Sequence, residues 1–351
     1  MPEINPRGRF VWHDLMTTDP GAAERFYPAV MGWGVMPFPA DPTYRMWTVN
    51  GVPIGGVLAL PDEAKKMGAP PHWLPYVAVT NVDAAVDQAQ GLGARTYVQP
   101  RDIPNVGRFA VLADPQGATF AVFRASGVTP GHEGPVEPGE FSWHELSTTD
   151  WSAAFSFYHA LFGWEKTAAM DMGPAGTYQM FGRAGREMGG VYNTPANVPA
   201  PPHWLSYVRV PSADHAAALL AKNGGRIVNG PMEVPGGDRI AMCFDPQGAA
   251  IAVHSTKVAV ASAPKPAAKP AAKPAAKPAA KVKAAPKSKA NTTSGPKAKP
   301  KAKPKAKAKA KSRPKAKPKS KARTKAGRKS SASKSKKHPS KKAAKRSKRH
   351  R

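Results

Sequence analysis

The chain of 351 residues lacks several features that would assign it to a common class. It has one cysteine, Cys243, so no disulfide can form within the chain, which favours a reducing compartment. No apolar run approaches the roughly 18 residues that a membrane-spanning helix needs. The first residues also lack the apolar core of an export signal. We therefore predict a cytoplasmic protein with no membrane partner.

The last 95 residues contain no acidic side chain. All 23 Asp and Glu precede Lys257, whereas 36 of the 53 Lys and Arg lie from Lys257 onward. The formal net charge is therefore −6 before Lys257 and +36 from there to the end. No aromatic residue or Leu follows Val282. Such a segment cannot bury a core, so we predict a disordered tail over residues 257–351.

The composition of this tail favours binding to polyanions. Its Lys, Ala and Pro repeats resemble the tails of linker histones and of basic bacterial nucleoid proteins. That resemblance implies sequence-independent DNA binding through phosphate contacts and a nucleoid-associated location. An inert, solvated charge run is the alternative. The candidate DNA contacts are Lys301, Lys303, Lys305, Lys315, Lys317, Arg346 and Arg349.

The part of the chain before the tail is an internal duplication. Residues 10–19 (FVWHDLMTTD) return as residues 141–150 (FSWHELSTTD), 131 positions later. The same spacing relates the two PPHWL segments and the two DPQG segments. Repeats of this length indicate whole domains. We predict domain one at residues 8–126, a Gly/Pro-rich linker at 127–138 and domain two at 139–256.

Within each copy, the same short order of secondary-structure elements occurs twice. Residues 10–17 alternate and favour a strand, after which Asp19 can cap a helix that starts at Pro20 and ends at Gly32. Three short strands follow, and the pattern restarts at His72. The sequence therefore predicts an α+β body of four units, each a strand, a helix and three strands.

These units resemble those of the vicinal oxygen chelate superfamily, which includes glyoxalase I, bleomycin-resistance proteins and extradiol dioxygenases. The resemblance rests on Asp19 before a helix that ends in FY and GW, on NVDAA at residues 81–85 and on the DPQG turn. It covers both copies. It implies two tandem domains, each a pair of βαβββ units whose curved, partly closed sheet surrounds a cleft.

Metal enzymes of this family resemble one another at four ligand positions. The His or Gln position, seven residues before the helix-opening Asp, is Trp12 and then Tyr76 in copy one, and the Glu position on the last strand is Ala121. Because Trp and Ala cannot ligate a divalent metal, we predict no catalytic metal and no other cofactor, with a divalent metal as the alternative. The other matching positions are Gly55, Gly56, Trp143, Gly189, Gly190, Tyr207 and Ala252.

Strand parity divides the first strand into two faces. Phe10, Trp12 and Asp14 would face the cleft, and Val11, His13 and Leu15 the opposite side. Asp14, like Glu145 in copy two, would then be a carboxylate in an aromatic pocket and a candidate catalytic acid or base. The competing interpretation, which the pattern favours, is a structural ion pair with Arg108 in copy one and Arg239 in copy two.

Aromatic and imidazole side chains complete the candidate ligand site. Trp12, Tyr76, Tyr44 and Trp47 would form a wall for a planar ligand, or simply fill the barrel. His72 would reach the cleft mouth as a hydrogen-bond donor, or cap a strand end. The predicted ligand-binding residues are Trp12, His72, Tyr76, Trp143, His203 and Tyr207. We expect His13 and His144 to pack under the helices, and Cys243 to be a core residue.

Three functions fit these patterns. The first is a protein that binds a small planar or aromatic ligand without a catalytic metal and contacts DNA through its tail. The second is a metal-dependent lyase or dioxygenase. The third is a nucleoid-associated architectural protein whose folded body serves sensing or assembly.

Overall fold

A computed structural model describes residues 5–257 of the chain. The tail, with its predicted DNA contacts from Lys301 to Arg349, lies outside the described residues. Within residues 5–257, no helix is both long enough and apolar enough to cross a bilayer.

Copy one consists of eight strands and three helices. Its first unit and the short helix after it are β1 (Phe10–Thr17), α1 (Pro20–Met31), β2 (Gly34–Phe38), β3 (Asp41–Val49), β4 (Val52–Ala59) and α2 (Asp62–Lys66). Its second unit is β5 (His72–Ala78), α3 (Val82–Gly91), β6 (Arg95–Ile103), β7 (Gly107–Ala113) and β8 (Thr119–Ala125).

Copy two repeats this order, with a single 3-10 turn at Gly173–Ala175 and no counterpart of α2. Its first unit is β9 (Phe141–Thr148), α4 (Trp151–Phe162), β10 (Glu165–Asp171), β11 (Thr177–Arg183) and β12 (Arg186–Asn193). Its second unit is β13 (His203–Arg209), α5 (Ala213–Lys222), β14 (Arg226–Glu233), β15 (Arg239–Phe244) and β16 (Ala250–Ser255).

Each copy forms one eight-stranded mixed sheet. The strand order in copy one is β2-β3-β4-β1-β5-β8-β7-β6, and copy two has the corresponding order. Within a unit the first strand runs parallel to the last, and the two units of a copy join through the antiparallel pair β1 and β5. The predicted α+β fold of two tandem domains with paired βαβββ units is confirmed.

The helix boundaries follow local signals. The Asp19 side chain accepts a hydrogen bond from the Ala22 amide at 2.9 Å, Pro20 occupies the first turn, and Gly32 ends α1 at φ 73°. The sequence predicted all three. It missed α2, because five exposed residues are too short to show helical periodicity.

Two assignments from strand parity were wrong. The pairing of β1 with β5 shifts between Phe10 and Trp12, and this bulge reverses the alternation, so Phe10 faces copy two and Val11 lies on the cleft side. Trp47 lies three residues after Tyr44 in β3 and therefore points to the opposite face, where it is fully buried against Tyr27.

The two largest hydrophobic cores lie between the copies, and a smaller one lies inside each copy. One core joins α3 and the inner side of β5, β7 and β8 to α4 and the start of copy two. The other joins α1 and the first unit of copy one to α5 and the last unit of copy two. Either copy alone would therefore leave the apolar faces of two helices uncovered.

Two tyrosines connect the copies across these cores. The Tyr27 hydroxyl of α1 donates to Asp245 Oδ2 at 2.9 Å, and the Tyr158 hydroxyl of α4 donates to Asp114 Oδ2 at 3.1 Å. Each Asp opens a DPQG turn, and its other oxygen accepts hydrogen bonds from backbone amides of that turn. Because the two copies share the same spacing, the first helix of each copy bonds to the last hairpin of the other copy.

A buried histidine pair lies where β1 and β9 approach each other. The Nε2 atoms of His13 and His144 are 2.8 Å apart, His13 stacks on Phe141, and His144 stacks on Phe10, both at 3.7 Å between ring centroids. Burial lowers the pKa of His13 well below its usual value and lowers the pKa of His144 to about 3. Both rings are therefore neutral at neutral pH and share an N–H···N hydrogen bond.

The first prediction concerns the tyrosine links. Tyr27→Phe and Tyr158→Phe should each lower the free energy of unfolding by about 1–3 kcal/mol, because a buried carboxylate oxygen loses its side-chain donor. Urea unfolding of each variant measures this. The control is Tyr97→Phe, which removes the hydroxyl of an exposed tyrosine. Equal stability of Tyr158→Phe and the control would contradict the assigned role.

The second prediction concerns the histidine pair. An unfolded His gains a proton below about pH 6.5, whereas the folded pair stays neutral, so stability is present above that pH and is lost as the pH falls. Each His should contribute a loss of up to about 1.4 kcal/mol per pH unit below 6.5. His13→Gln combined with His144→Gln should remove this dependence.

The measurement compares unfolding free energies at pH 7 and pH 5 in the wild type and the double variant. The buried carboxylates Asp14, Glu145, Asp114 and Asp245 have raised pKa values and act in the opposite direction, so the difference between the two proteins is the informative quantity. His215→Gln, at an exposed position of α5, is the control. An unchanged pH dependence in the double variant would contradict the prediction.

Candidate functional site

A hydrogen-bonded carboxylate lies on the cleft side of the first sheet. Asp14 Oδ1 accepts from the Tyr44 hydroxyl at 2.6 Å and from Trp12 Nε1 at 2.9 Å, and Asp14 Oδ2 accepts from the Tyr76 hydroxyl at 2.7 Å. Trp12 Nε1 also contacts the Tyr44 hydroxyl at 2.8 Å. We call this group the Asp14 cage. It draws on β1, β3 and β5, so the fold assembles it from residues distant in sequence.

Copy two builds the same arrangement around a longer side chain. Glu145 Oε1 accepts from the Tyr178 hydroxyl at 2.9 Å and Oε2 from the Tyr207 hydroxyl at 2.8 Å. Trp143 Nε1 donates to the Tyr178 hydroxyl at 2.8 Å. We call this group the Glu145 cage. Both predicted carboxylates therefore lie with the predicted Trp and Tyr of their own copy.

Glycines on β4 and β12 make room for these cages. A Cβ on Gly56 would overlap the Tyr44 hydroxyl, and a Cβ on Gly190 would overlap the Tyr178 ring. Gly56 pairs with Asp14 across β1 and β4, and Gly190 pairs with Glu145 in copy two. A tyrosine can therefore cross directly above the neighbouring strand to reach the carboxylate.

Burial dominates the electrostatics of both cages. It raises the pKa of Asp14, although the hydrogen bonds from Tyr44, Tyr76 and Trp12 oppose the rise. Burial likewise raises the pKa of Glu145, against the hydrogen bonds from its two tyrosines. The tyrosines in turn have raised pKa values because they are buried beside a carboxylate. Each cage thus favours protonated phenols around one carboxyl group of elevated basicity.

The ion pair that the sequence favoured for Asp14 does not form. Arg108 binds Asp83 at 2.8 Å and Asp102 at 3.1 Å on the outer surface. Arg239 binds Asp214 in the same way at 2.6 Å. The position of Arg108 in β7 sends its side chain towards the first turn of α3 instead.

The two predicted histidines lie apart from the cages. His72 begins β5, two residues before Leu74, which pairs with Asp14, and its Nδ1 donates to the Pro70 carbonyl at 2.8 Å. His203 makes the same contact with the Pro201 carbonyl at 2.8 Å. This geometry matches the strand-capping alternative. A role of His72 and His203 in ligand binding stays a prediction.

Several site residues were missed or only partly recognised from the sequence. Tyr178 is the counterpart of Tyr44, but it lies 134 residues later because copy two has three extra residues between β10 and β11. Comparison of the copies with this shift allowed would have found it. Tyr192, with a pKa raised by burial to about 12, also lies close enough to Glu145 to interact with its charge.

The two clefts differ in charge. Arg101 in β6 lies over the Phe109 ring, 4.8 Å from its centroid, and its charge acts on Tyr76 of the Asp14 cage. The residues at the corresponding pair in copy two are Met232 and Ile240. Cleft one therefore offers a guanidinium beside its cage, and cleft two offers an apolar surface at the same place.

The donor set does not suit a divalent metal. The strand pairings bring Trp12, Tyr76 and Ala121 together at the positions where metal enzymes of the resembling family carry ligands. The carboxylate beside these positions belongs to Asp14, and its two oxygens already accept hydrogen bonds from Trp12, Tyr44 and Tyr76. Within residues 5–257, no three His, Cys, Asp or Glu side chains are grouped so that they could share an ion.

Comparison with known proteins agrees with this architecture. Residues 11–123 match a glyoxalase-like domain model, and residues 141–253 match the model of the glyoxalase/bleomycin resistance protein/dioxygenase superfamily. A Mycobacterium tuberculosis protein named as a glyoxylase, CFP32, is 34% identical over 249 residues, which are 69% of this chain and 92% of the relative. The chain belongs to the glyoxalase/bleomycin resistance protein/dioxygenase superfamily.

Other members of the superfamily differ widely in what they are named for. The anthracycline biosynthesis protein DnrV of Streptomyces peucetius is 30% identical over 259 residues, covering 70% of this chain and 92% of the relative. Among solved structures, the 2,3-dioxygenase LapB of Pseudomonas sp. KL28 has a TM-score of 0.54 at 10% identity, covering 73% of this chain and 94% of LapB. The Mn(II)-bound glyoxalase of Novosphingobium aromaticivorans has a TM-score of 0.50 at 16% identity, covering 72% and 82%. At these identities the structures show a shared fold.

The third prediction concerns metal content. The purified, dialysed protein should retain well under one equivalent of Zn, Fe, Ni or Mn per domain, because its ligand positions carry Trp, Tyr, Gly and Ala. Elemental analysis by mass spectrometry measures this directly. One tightly held ion in each domain would contradict the prediction and would favour the metal-dependent alternative.

Proposed function

We propose that the body binds a small planar or aromatic ligand at its clefts without a catalytic metal. The observation that carries this proposal is the pair of cages, each a buried carboxylate that accepts hydrogen bonds from two Tyr, with a Trp that donates to one of those phenols. Asp14 and Glu145 are 5% and 7% exposed, whereas Trp12 and Trp143 are each half-buried. A ligand entering either cleft would therefore meet the indole first, and an aromatic ring would stack on it.

Beyond the indole, the cage supplies hydrogen-bonding groups of defined character. The phenols of Tyr44 and Tyr76 stay protonated, and Asp14 has a raised pKa because of burial. A carboxyl group with a raised pKa is more basic than a solvated one, so it can accept and return a proton more readily. We therefore propose Asp14 and Glu145 as the acid or base of any reaction at the clefts, and as polar anchors if none occurs.

The names of the relatives fit a small organic ligand. CFP32 is named as a glyoxylase, and DnrV is named for anthracycline biosynthesis. The alignment with this chain covers 92% of each relative. These names support a role for the clefts in handling small molecules, and the aromatic cages favour a flat one.

Two other functions remain as alternatives. A metal-dependent lyase or dioxygenase would need ligands that the four positions do not provide. An architectural role in the nucleoid would depend on the tail, with the body as a sensing or assembly module. The tail composition supports DNA binding in either case, and we propose that it contacts phosphates without sequence preference and directs the protein to the nucleoid.

The fourth prediction tests the clefts with a dihydroxyanthraquinone as a planar probe, using isothermal titration calorimetry. Trp12→Ala combined with Trp143→Ala should weaken binding about fivefold or more, because loss of a stacked ring costs about 1 kcal/mol or more. Trp12→Phe with Trp143→Phe is the matched control, since it keeps a stacking ring and removes the indole N–H. Unchanged binding in the alanine variants, with cooperative unfolding intact, would refute the proposal.

The fifth prediction concerns the tail. The body ending at Ser255 carries a net charge of −6 and should not bind DNA, whereas the full chain should bind unrelated duplexes equally. Each phosphate contact should add about −0.9 to the slope of log affinity plotted against log salt concentration. Mobility-shift assays on two duplexes across a salt series measure both properties. Equal binding by the truncated body, or strong discrimination between the duplexes, would place recognition in the folded domains instead.

A further inference from the structure

A cavity of about 350 Å³ lies between the two copies, apart from both clefts. Its walls come from β1 and β4 of copy one, from β9, β11 and β12 of copy two, and from the segment that joins the copies. The buried pair His13 and His144 lines it, together with Phe10 and Phe141. Its volume lies in the range typical of small-molecule sites, about 300–1,000 Å³. No residue of either cage contributes to it.

Guanidinium groups dominate the polar side of this cavity. Arg9 and Arg183 both bind Glu133 Oε1, at 3.1 Å and 2.9 Å, so one carboxylate serves two cations. Arg186 lines the same cavity and donates to the Gly134 carbonyl at 2.7 Å. Burial lowers the pKa of Arg9, as do the neighbouring Arg183 and Arg186, while Glu133 opposes this. Positive charge therefore exceeds negative charge around Arg9.

Two further carboxylates line the cavity, so the positive excess is confined to the surroundings of Arg9. Glu140 accepts from His132 at 2.9 Å and from the Glu137 amide at 2.8 Å. Glu187 is exposed and forms no ion pair within residues 5–257. Neither is among the groups whose charge acts on Arg9.

Two polar atoms along the cavity lack partners. Arg9 Nε is buried and has no hydrogen-bond acceptor among the described residues. His144 Nδ1 faces the Met188 carbonyl at 3.4 Å, so His144 Nε2 accepts the proton that His13 Nε2 donates. That tautomer leaves His13 Nδ1 as an acceptor, and it has no partner within residues 5–257. A ligand anion that reached the Arg9 guanidinium would supply the missing acceptor.

We propose that this interdomain cavity is a third binding site and takes a small organic anion, a carboxylate on a flat apolar body. The carboxylate contacts Arg9 Nε and the Arg186 guanidinium. The apolar body lies along Ile54, Met188 and the aromatic side chains at the base of the cavity. The site exists because both copies occur in one chain, since each copy supplies one half of its walls.

The experiment uses 2-naphthoate as the anionic probe and 2-naphthamide as its neutral counterpart, titrated into the full-length protein labelled with 13C at methionine methyl groups. Naphthoate should shift the Met188 signal and bind at least about tenfold more tightly than the amide, as expected for a charge-assisted hydrogen bond. Arg9→Lys keeps the charge and removes Nε, and should reduce this preference.

A blocking variant keeps the test independent of Arg9. Val52 lines the cavity and is 63% exposed, so Val52→Trp should obstruct the mouth without disturbing the core and should abolish the naphthoate-induced shift of the Met188 signal. Val128→Trp, at a position 97% exposed and outside the cavity lining, is the matched control. Equal affinity for acid and amide at Met188, or an unaltered Met188 shift in Val52→Trp, would overturn the proposal.

Discussion

The alternation of side chains along β1 and β9 is the constraint on which the rest of the molecule depends. After the bulge at the start of β1, Trp12 and Asp14 point to the cleft, while His13 and Leu15 point to the other copy. Adjacent residues of one strand thus build the candidate site and the contact between copies. A shift of one residue would exchange the two sets and bring both a carboxylate and an indole N–H into the apolar core. The repeated WHDL and WHEL segments serve both roles at once.

The shared cores explain why the two copies remain matched. Each long helix packs on the sheet of its own copy and against a helix of the other copy, and the buried Tyr of α1 and of α4 reaches an Asp in the last turn of the other copy. A change in one partner would leave a buried polar group unpaired, at a cost of about 1–3 kcal/mol. Positions free of these contacts have diverged, as Arg101 and Met232 show on the cleft side. The fold therefore allows two clefts of different chemistry on one common frame.

The cages use the family's ligand positions for a different purpose. Strand pairing still brings four positions together, but they now hold aromatic side chains and glycines, and the carboxylate comes two residues later, from Asp14 or Glu145. The glycines matter because Tyr44 and Tyr178 need the space of a missing Cβ to reach that carboxylate. The result is a site of hydrogen bonds and aromatic surface, in which burial raises the pKa of the central carboxyl group.

The sequence by itself determined the duplication, the order of the sixteen strands and the capped helices, because repeats, caps and strand periodicity are local signals. It also showed the charge division between body and tail. Tertiary structure decided the rest. The bulge that reorients Phe10, the surface ion pairs of Arg108, the meeting of His13 with His144 and the arrival of Tyr44 at Asp14 all depend on which strands and copies become neighbours. Those neighbours are set by packing between residues far apart in the chain, which no local pattern records.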